Sequence, residues 1–171
     1  MRELDLTALL RKTVLRLNKM HAGTGPSVQL SLALNLSKFF WHDCSLEKLI
    51  DRLVHYASVI SPPARPVRIA VRQKAKMQDL EKFFDIHPSH WVQIKIDLAA
   101  AGFEEGVRKT FEDHGYRCEE WVGVEDSRQQ MGVFSLEAEQ KLKLLFWAEN
   151  HTFRHKCDLL IPVTDPVASL D

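Results

Sequence analysis

Apolar residues in the first sixty positions recur at intervals of three and four, the spacing of one face of a helix. Asp5 can cap a first helix, which the run AGTGP at 22–26 ends. A second apolar segment spans residues 27–41, and a third begins at Ser45 with an apolar face of Leu46, Leu49, Ile50, Leu53, Val54 and Ala57. The sequence therefore predicts an all-helical region over residues 1–60.

The periodicity changes after the stretch SPPARP at residues 61–66. Its three prolines prevent a helix from continuing and favour an extended link. Beyond it, apolar and polar residues alternate over 67–72 and again over 92–98, which predicts two strands. We therefore expect a helical region at 1–60, a link at 61–66 and a second region at 67–171.

Strand and helix patterns alternate through the second region. Short helices are predicted at 77–84 and 103–111, the latter ended by Gly115. The remaining predicted elements are strands at 117–124, 131–136 and 159–163 and a helix at 137–150. Such alternation favours a largely parallel sheet flanked by helices, so we expect an α/β fold, with a mixed α+β fold as the alternative.

The composition is that of a globular protein, with 45% hydrophobic and 27% charged residues. Its apolar stretches are too short to cross a bilayer, and the charged N-terminus does not resemble a secretory signal. Cys44, Cys118 and Cys157 are widely spaced and form no CxxC pair, which argues against a disulfide framework. The sequence therefore predicts a soluble cytoplasmic protein that does not contact a membrane.

The formal net charge of zero conceals an asymmetry between the two halves of the chain. Residues 1–78 contain 13 Lys or Arg and 5 Asp or Glu, whereas residues 79–171 contain 10 and 18. Clustered cations attract anionic partners, although Lys and Arg also protect edge strands from aggregation. The predicted contact residues for nucleic acid or another anionic partner are Arg65, Arg68, Arg72, Lys74 and Lys76.

Acidic residues follow several predicted strands, where the ligands of open parallel sheets bind. Carboxylate oxygens are the ligands that Mg²⁺ prefers, and a bound Mg²⁺ can assist phosphoryl transfer. The alternative is that these acids only form turns and keep the loops hydrated. The candidate metal ligands are Asp97, Glu125, Asp126 and Asp165.

Three further patterns suggest other chemistry. Residues 80–96 are similar to a helix-turn-helix, but the second half alternates as a strand would. His151, His155 and Cys157 would form part of a zinc site if they lay on a helix. Residues 103–119, with the later strand CDLLIPV, resemble the helix and first acidic strand of restriction-enzyme-like nucleases, but no acid-x-Lys strand follows.

The patterns favour a non-catalytic binding module, a small regulator or adaptor within a larger assembly. It would use its basic half to contact nucleic acid or an acidic protein surface, without a cofactor. One alternative is a metal-dependent, nuclease-like enzyme that acts on phosphate esters with Mg²⁺. Another is a purely structural subunit, and the sequence leaves open whether the chain forms a homo-oligomer.

Overall fold

The computed structural model describes residues 2–33, 36–77, 80–82, 85–100, 102–123, 128–151 and 154–164. The helices whose full length is described are α1 (Leu6–Met20), α2 (Ser45–Ile60) and α3 (Phe103–Asp113). The strands are β1 (Arg2–Leu4), β2 (Val28–Leu32), β3 (Phe39–Trp41), β4 (Val67–Lys74), β5 (His90–Leu98), β6 (Tyr116–Gly123), β7 (Gln129–Leu136), β8 (Glu139–Asn150) and β9 (His155–Val163).

Seven of the strands in the described part of the chain form one sheet, in the order β2-β4-β5-β9-β8-β7-β6. The β2–β4 pair is parallel, and each of the other neighbouring pairs is antiparallel. β1 and β3 pair separately in a small antiparallel sheet. The last strand, β9, therefore lies in the middle of the large sheet, between β5 and β8.

One face of the large sheet forms the main core with the three helices. Alternate residues of β5, such as Ile94 and Ile96, are buried together with Leu53 of α2 and Phe111 of α3. The Phe111 ring stacks on Phe134 of β7, with ring centroids 3.9 Å apart. Side chains from residues before and after the proline-rich stretch thus share one apolar core.

The opposite face of the sheet, here called the outer face, has a smaller apolar cluster. Trp91 and its neighbours Leu145 and Leu160 are buried under Met77, Leu80 and Ile86. The Trp91 indole N–H donates to the Glu81 carboxylate over 2.8 Å. The described part of segment 75–89 is therefore held on the outer face by a hydrogen bond as well as by apolar contact.

Local signals explain where the helices begin and end. The Asp5 carboxylate accepts a hydrogen bond from the Ala8 N–H, which confirms the predicted cap of α1. α3 ends one residue before His114, and Gly115 follows with φ +84°, a conformation that glycine adopts without steric cost. Both helix ends were predicted from residue type alone.

The mixed α+β alternative for the fold class is confirmed, and the predicted strands at 67–72 and 92–98 correspond to β4 and β5. Two helix predictions are wrong. Within 27–41 the structure forms β2 and β3, because Val28, Leu30 and Leu32 alternate with polar residues. Residues 139–150 form β8, in which apolar side chains face both sides of the sheet.

The prediction of a largely parallel sheet is also wrong. Short connections such as Glu137–Ala138 join neighbouring strands directly, and such short connections produce antiparallel pairs. The described residues contain no helix that is long and apolar enough to span a membrane. The division of the chain at 61–66 stays a prediction.

Candidate functional site

The predicted acidic metal site stays a prediction. Asp97 lies near the end of β5, whereas Glu125, Asp126 and Asp165 fall outside the residues that the structure describes. The Asp97 carboxylate accepts hydrogen bonds from Nε and Nη2 of Arg154. No group of three or more His, Cys, Asp or Glu side chains that could hold a metal ion occurs among the described residues.

The predicted basic residues lie on and beside β4. Arg68, Arg72 and Lys74 alternate with core residues and therefore point to the outer face. Arg72 donates to the Gln93 side chain over 2.7 Å, so part of its hydrogen-bonding capacity is used inside the sheet. Arg65 precedes the strand and Lys76 follows it, so the five predicted cations are spread along the length of the strand.

The alternative motifs are not supported by the geometry. Residues 90–98 form strand β5, which removes the recognition helix of a helix-turn-helix. His155 and Cys157 lie on strand β9, so the helical spacing needed for the zinc hypothesis is absent. His151 contacts Glu149 over 3.0 Å, and His155 contacts the Asn150 side-chain oxygen over 2.6 Å.

The solvent-facing surfaces of α2 and α3 enclose a cleft of about 450 Å³, which we call the α2–α3 cleft. Polar and apolar side chains at helical spacing line both walls. α2 contributes Arg52, His55, Tyr56 and Val59, while α3 and the residue after it contribute Gly106, Lys109, Thr110, Asp113 and His114. Because the apolar faces of both helices are buried against the sheet, these residues are left on the solvent side.

The Tyr56 ring forms the floor of the cleft. Its ring stacks on buried Phe103, with centroids 5.5 Å apart and planes at 16°. A Cβ atom at Gly106 would lie under 3.0 Å from the Tyr56 ring, so glycine at this position leaves the space that the ring occupies. The cleft therefore has a flat aromatic floor, the Tyr56 ring of α2, which two residues of α3 hold in place.

Each wall of the cleft carries one cationic side chain, Arg52 on α2 and Lys109 on α3. Arg16 pairs with Asp51 over 2.9 Å, and Thr13 also donates to that carboxylate. Arg52 and Lys109 form no ion pair within the described ranges, and both line the cleft. Their charges are therefore available to a ligand.

Two histidines, His55 and His114, also line the cleft. Desolvation, followed by the charges of Arg52 and Arg16, lowers the pKa of His55 below its ordinary value of 6.5. The His114 Nδ1 atom lies 2.7 Å from the Thr110 carbonyl oxygen and must therefore carry a hydrogen, because a carbonyl can only accept. An anionic ligand would favour the protonated form of His55.

The cleft residues were not identified from the sequence. Arg52, His55 and Tyr56 form the polar side of an amphipathic helix, which is usually only a solvated face. The combination of an aromatic ring and a histidine on that side was the one available signal. Lys109 belongs to another helix, and only the packing of α3 against α2 brings it to the same cleft.

Several solved structures of histidine kinase domains share this fold. The catalytic domain of the histidine kinase ThkA is similar with a TM-score of 0.55 at 11% identity, over 96% of this chain and 98% of that one. The mycobacterial sensor histidine kinase MprB is similar with a TM-score of 0.51 at 10% identity, over 96% and 99%.

A histidine kinase from Burkholderia phymatum is also similar, with a TM-score of 0.52 at 10% identity, over 95% of this chain and 70% of that one. At these identities the likeness defines the fold. No protein-family model matches the sequence, and no curated protein matches it either.

The likeness corrects the functional expectation from the sequence. The fold is one that catalytic domains of histidine kinases adopt, which contradicts a non-catalytic module that contacts nucleic acid or an acidic protein. The charge asymmetry led to a wrong functional prediction because that prediction assumed one continuous basic surface. In the structure the basic residues of the first half are divided between α1, the cleft wall and the outer face of the sheet.

Proposed function

We propose that this chain is a histidine-kinase-type domain that binds a nucleotide in the α2–α3 cleft. The fold supports the proposal, and the ThkA catalytic domain that shares it is described as a nucleotide-free form. Kinases take the transferred phosphoryl group from a bound nucleoside triphosphate. The observation that carries the proposal is the cleft itself, which combines an aromatic floor with cations in about 450 Å³.

The phosphate groups would contact Arg52 and Lys109. A guanidinium group can donate two parallel hydrogen bonds to phosphate oxygens, and an ammonium group acts as a compact point charge. These two side chains come from opposite walls, so an anion between them would interact with both. His55 would add a third donor once the ligand raises its pKa.

The base of the nucleotide would lie against Tyr56 and Val59. The Tyr56 ring is held by Phe103 and is therefore rigid before a ligand binds, which reduces the entropy lost on binding. Val59 is 57% exposed and extends the apolar wall along α2. Stacking of a base on an aromatic ring contributes roughly 1–3 kcal/mol.

A kinase nucleotide usually binds together with Mg²⁺, which needs only one or two protein carboxylates because phosphates and water complete its coordination. Asp113 is the carboxylate that lines the cleft. The residues present therefore fit such an ion, with Asp113 as its protein ligand. A bound Mg²⁺ would neutralise negative charge on the phosphates.

Titration calorimetry with ATP tests the proposal directly. Arg52→Gln and Lys109→Gln should each weaken binding by about fivefold to tenfold, because each removes one charge-assisted contact. Arg11→Gln is the matched control, since Arg11 is an exposed helical arginine outside the cleft. The proposal is wrong if ATP does not bind at millimolar concentration, or if Arg11→Gln weakens binding as much as Arg52→Gln.

A further inference from the structure

A second pocket lies on the outer face of the sheet and has a different composition. It encloses about 240 Å³ and is lined by Arg65, Pro66, Arg68, Asp97, Leu98, Ala99 and Arg154. Three guanidinium groups thus surround one carboxylate, which leaves a formal charge of +2 among the lining side chains. We call this the arginine pocket.

The arginine pocket is separate from the α2–α3 cleft. Val67 and Ile69 of β4 and Ile96 of β5 face the helices in the main core. Arg68 and Asp97 alternate with them and therefore point to the other face of the sheet. A ligand in this pocket would be separated from the cleft by the thickness of the sheet.

The sheet register places the charged groups close together. Arg68 and Asp97 are direct partners across β4 and β5, a spacing that lets their side chains interact. Arg154 immediately precedes β9, and its Nε lies 2.9 Å from both oxygens of the Asp97 carboxylate. Asp97 therefore fixes the orientation of the Arg154 guanidinium before any ligand binds.

Hydrogen-bond donors remain available on all three arginines. Arg154 uses Nε and Nη2 on Asp97, which leaves Nη1, and Arg68 uses Nε on the Gln29 side chain, which leaves both amino groups. The Arg65 guanidinium has no hydrogen-bond partner in the part of the chain that the structure describes. Planar forks of this kind match the oxygens of a phosphate group.

We infer that the arginine pocket binds the phosphate group of a small phosphomonoester. A dianion would neutralise the +2 charge of the lining residues. Arg65, Arg68 and Arg154 are all exposed, so the pocket is open to solvent and a substituent on the phosphate could extend outward. The volume suits a phosphate group better than a whole nucleotide, since sites for larger ligands usually exceed about 300 Å³.

The test is a nuclear magnetic resonance titration of the full chain with methyl phosphate at constant ionic strength. Backbone amide shifts should change at residues 65, 67–68, 97–99 and 154, and methyl phosphate should bind at least as tightly as inorganic phosphate. Arg68→Gln should reduce the affinity by about tenfold. Lys74→Gln is the matched control, because Lys74 lies on the same face of the same strand outside the pocket.

Four outcomes would overturn the inference. Methyl phosphate may cause no shifts in the pocket, only inorganic phosphate may bind there, or Lys74→Gln may weaken binding as much as Arg68→Gln. The last result would indicate a diffuse charge effect instead of a site. Shifts confined to residues 52–59 and 106–114 would place the phosphate in the α2–α3 cleft and would equally contradict this inference.

Discussion

Tyr56 on α2 packs directly against the backbone of Gly106 on α3, in the space that a Cβ atom would fill. The two residues thereby set how closely the helices approach each other. The same contact fixes the aromatic floor of the α2–α3 cleft, because the Tyr56 ring is held between Gly106 and Phe103.

The effect of Gly106→Ala on the free energy of unfolding should depend on whether the Tyr56 ring is present. Alanine favours a helix over glycine by about 1 kcal/mol, but the added methyl group would displace the ring from Phe103, a stacking contact worth roughly 0.5–1.5 kcal/mol beyond its buried area. Gly106→Ala should therefore stabilise the Tyr56→Ala variant and fail to stabilise the wild type. Urea unfolding of the four proteins measures this coupling, and additive effects would contradict it.

Tyr116 should make stability fall at high pH. Burial raises the pKa of Tyr116 to about 12, and its hydroxyl lies 3.1 Å from the Trp41 indole nitrogen and 3.0 Å from Ser45 Oγ. The unfolded chain releases this proton near pH 10 and the folded chain only near 12. The contribution is fully present below pH 10, and about 2–3 kcal/mol is lost as the pH rises from 10 to 12.

The variant Tyr116→Phe isolates this effect. It should be less stable than the wild type by roughly 1–3 kcal/mol at pH 8, because the buried Trp41 N–H loses its acceptor. Between pH 8 and 11 it should lose less stability than the wild type, as measured by denaturant unfolding. Equal losses in both proteins would show that other groups control the alkaline transition.

The pH dependence of nucleotide affinity should depend on His55. Its pKa lies below 6.5 in the free protein, and a bound anion raises it, so binding takes up a proton and strengthens as the pH falls from 8 to 6. His55→Gln should flatten this dependence in calorimetric titrations. Since protonation of the ligand is common to both proteins, the difference between them reports on His55, and identical pH profiles would exclude that role.

Glu81 should hold the described part of segment 75–89 on the outer face of the sheet. Glu81→Ala leaves the buried Trp91 indole N–H without its acceptor and should cost roughly 1–3 kcal/mol. Glu81→Gln keeps an acceptor and serves as the matched control. Hydrogen exchange of the backbone amides of residues 80–82, 85–87 and 89 should accelerate in the alanine variant alone, and unchanged exchange would mean that apolar contacts suffice.

The sequence predicted β4 correctly because its apolar side chains face only one side of the sheet. In β4, Val67, Ile69 and Val71 are buried while Arg68 and Arg72 are exposed, which produces a clear period of two. In β8, Leu144 and Phe146 belong to the main core and Leu145 to the cluster on the outer face. Consecutive apolar residues then lose the period of two, and the pattern resembles a helix.

The two proposed sites depend on contacts between distant segments. Arg154 follows β8 in the chain and reaches Asp97 only because β9 pairs with β5. Lys109 similarly reaches Arg52 only through helix packing. The spacing of charged residues identified Arg65 and Arg68 of the arginine pocket, but it could not predict that Asp97 and Arg154 lie beside them.

The position of β9 has a consequence for synthesis of the chain. Strands β2, β4 and β5 form one half of the large sheet and β8, β7 and β6 form the other, and in the described structure β9 is the strand that joins them. A nascent chain whose residues 155–163 have not yet emerged from the ribosome would have two half-sheets. Each would have an unpaired apolar edge, at β5 or β8. Such edges can recruit other strands, so the interval before β9 emerges favours aggregation on the ribosome.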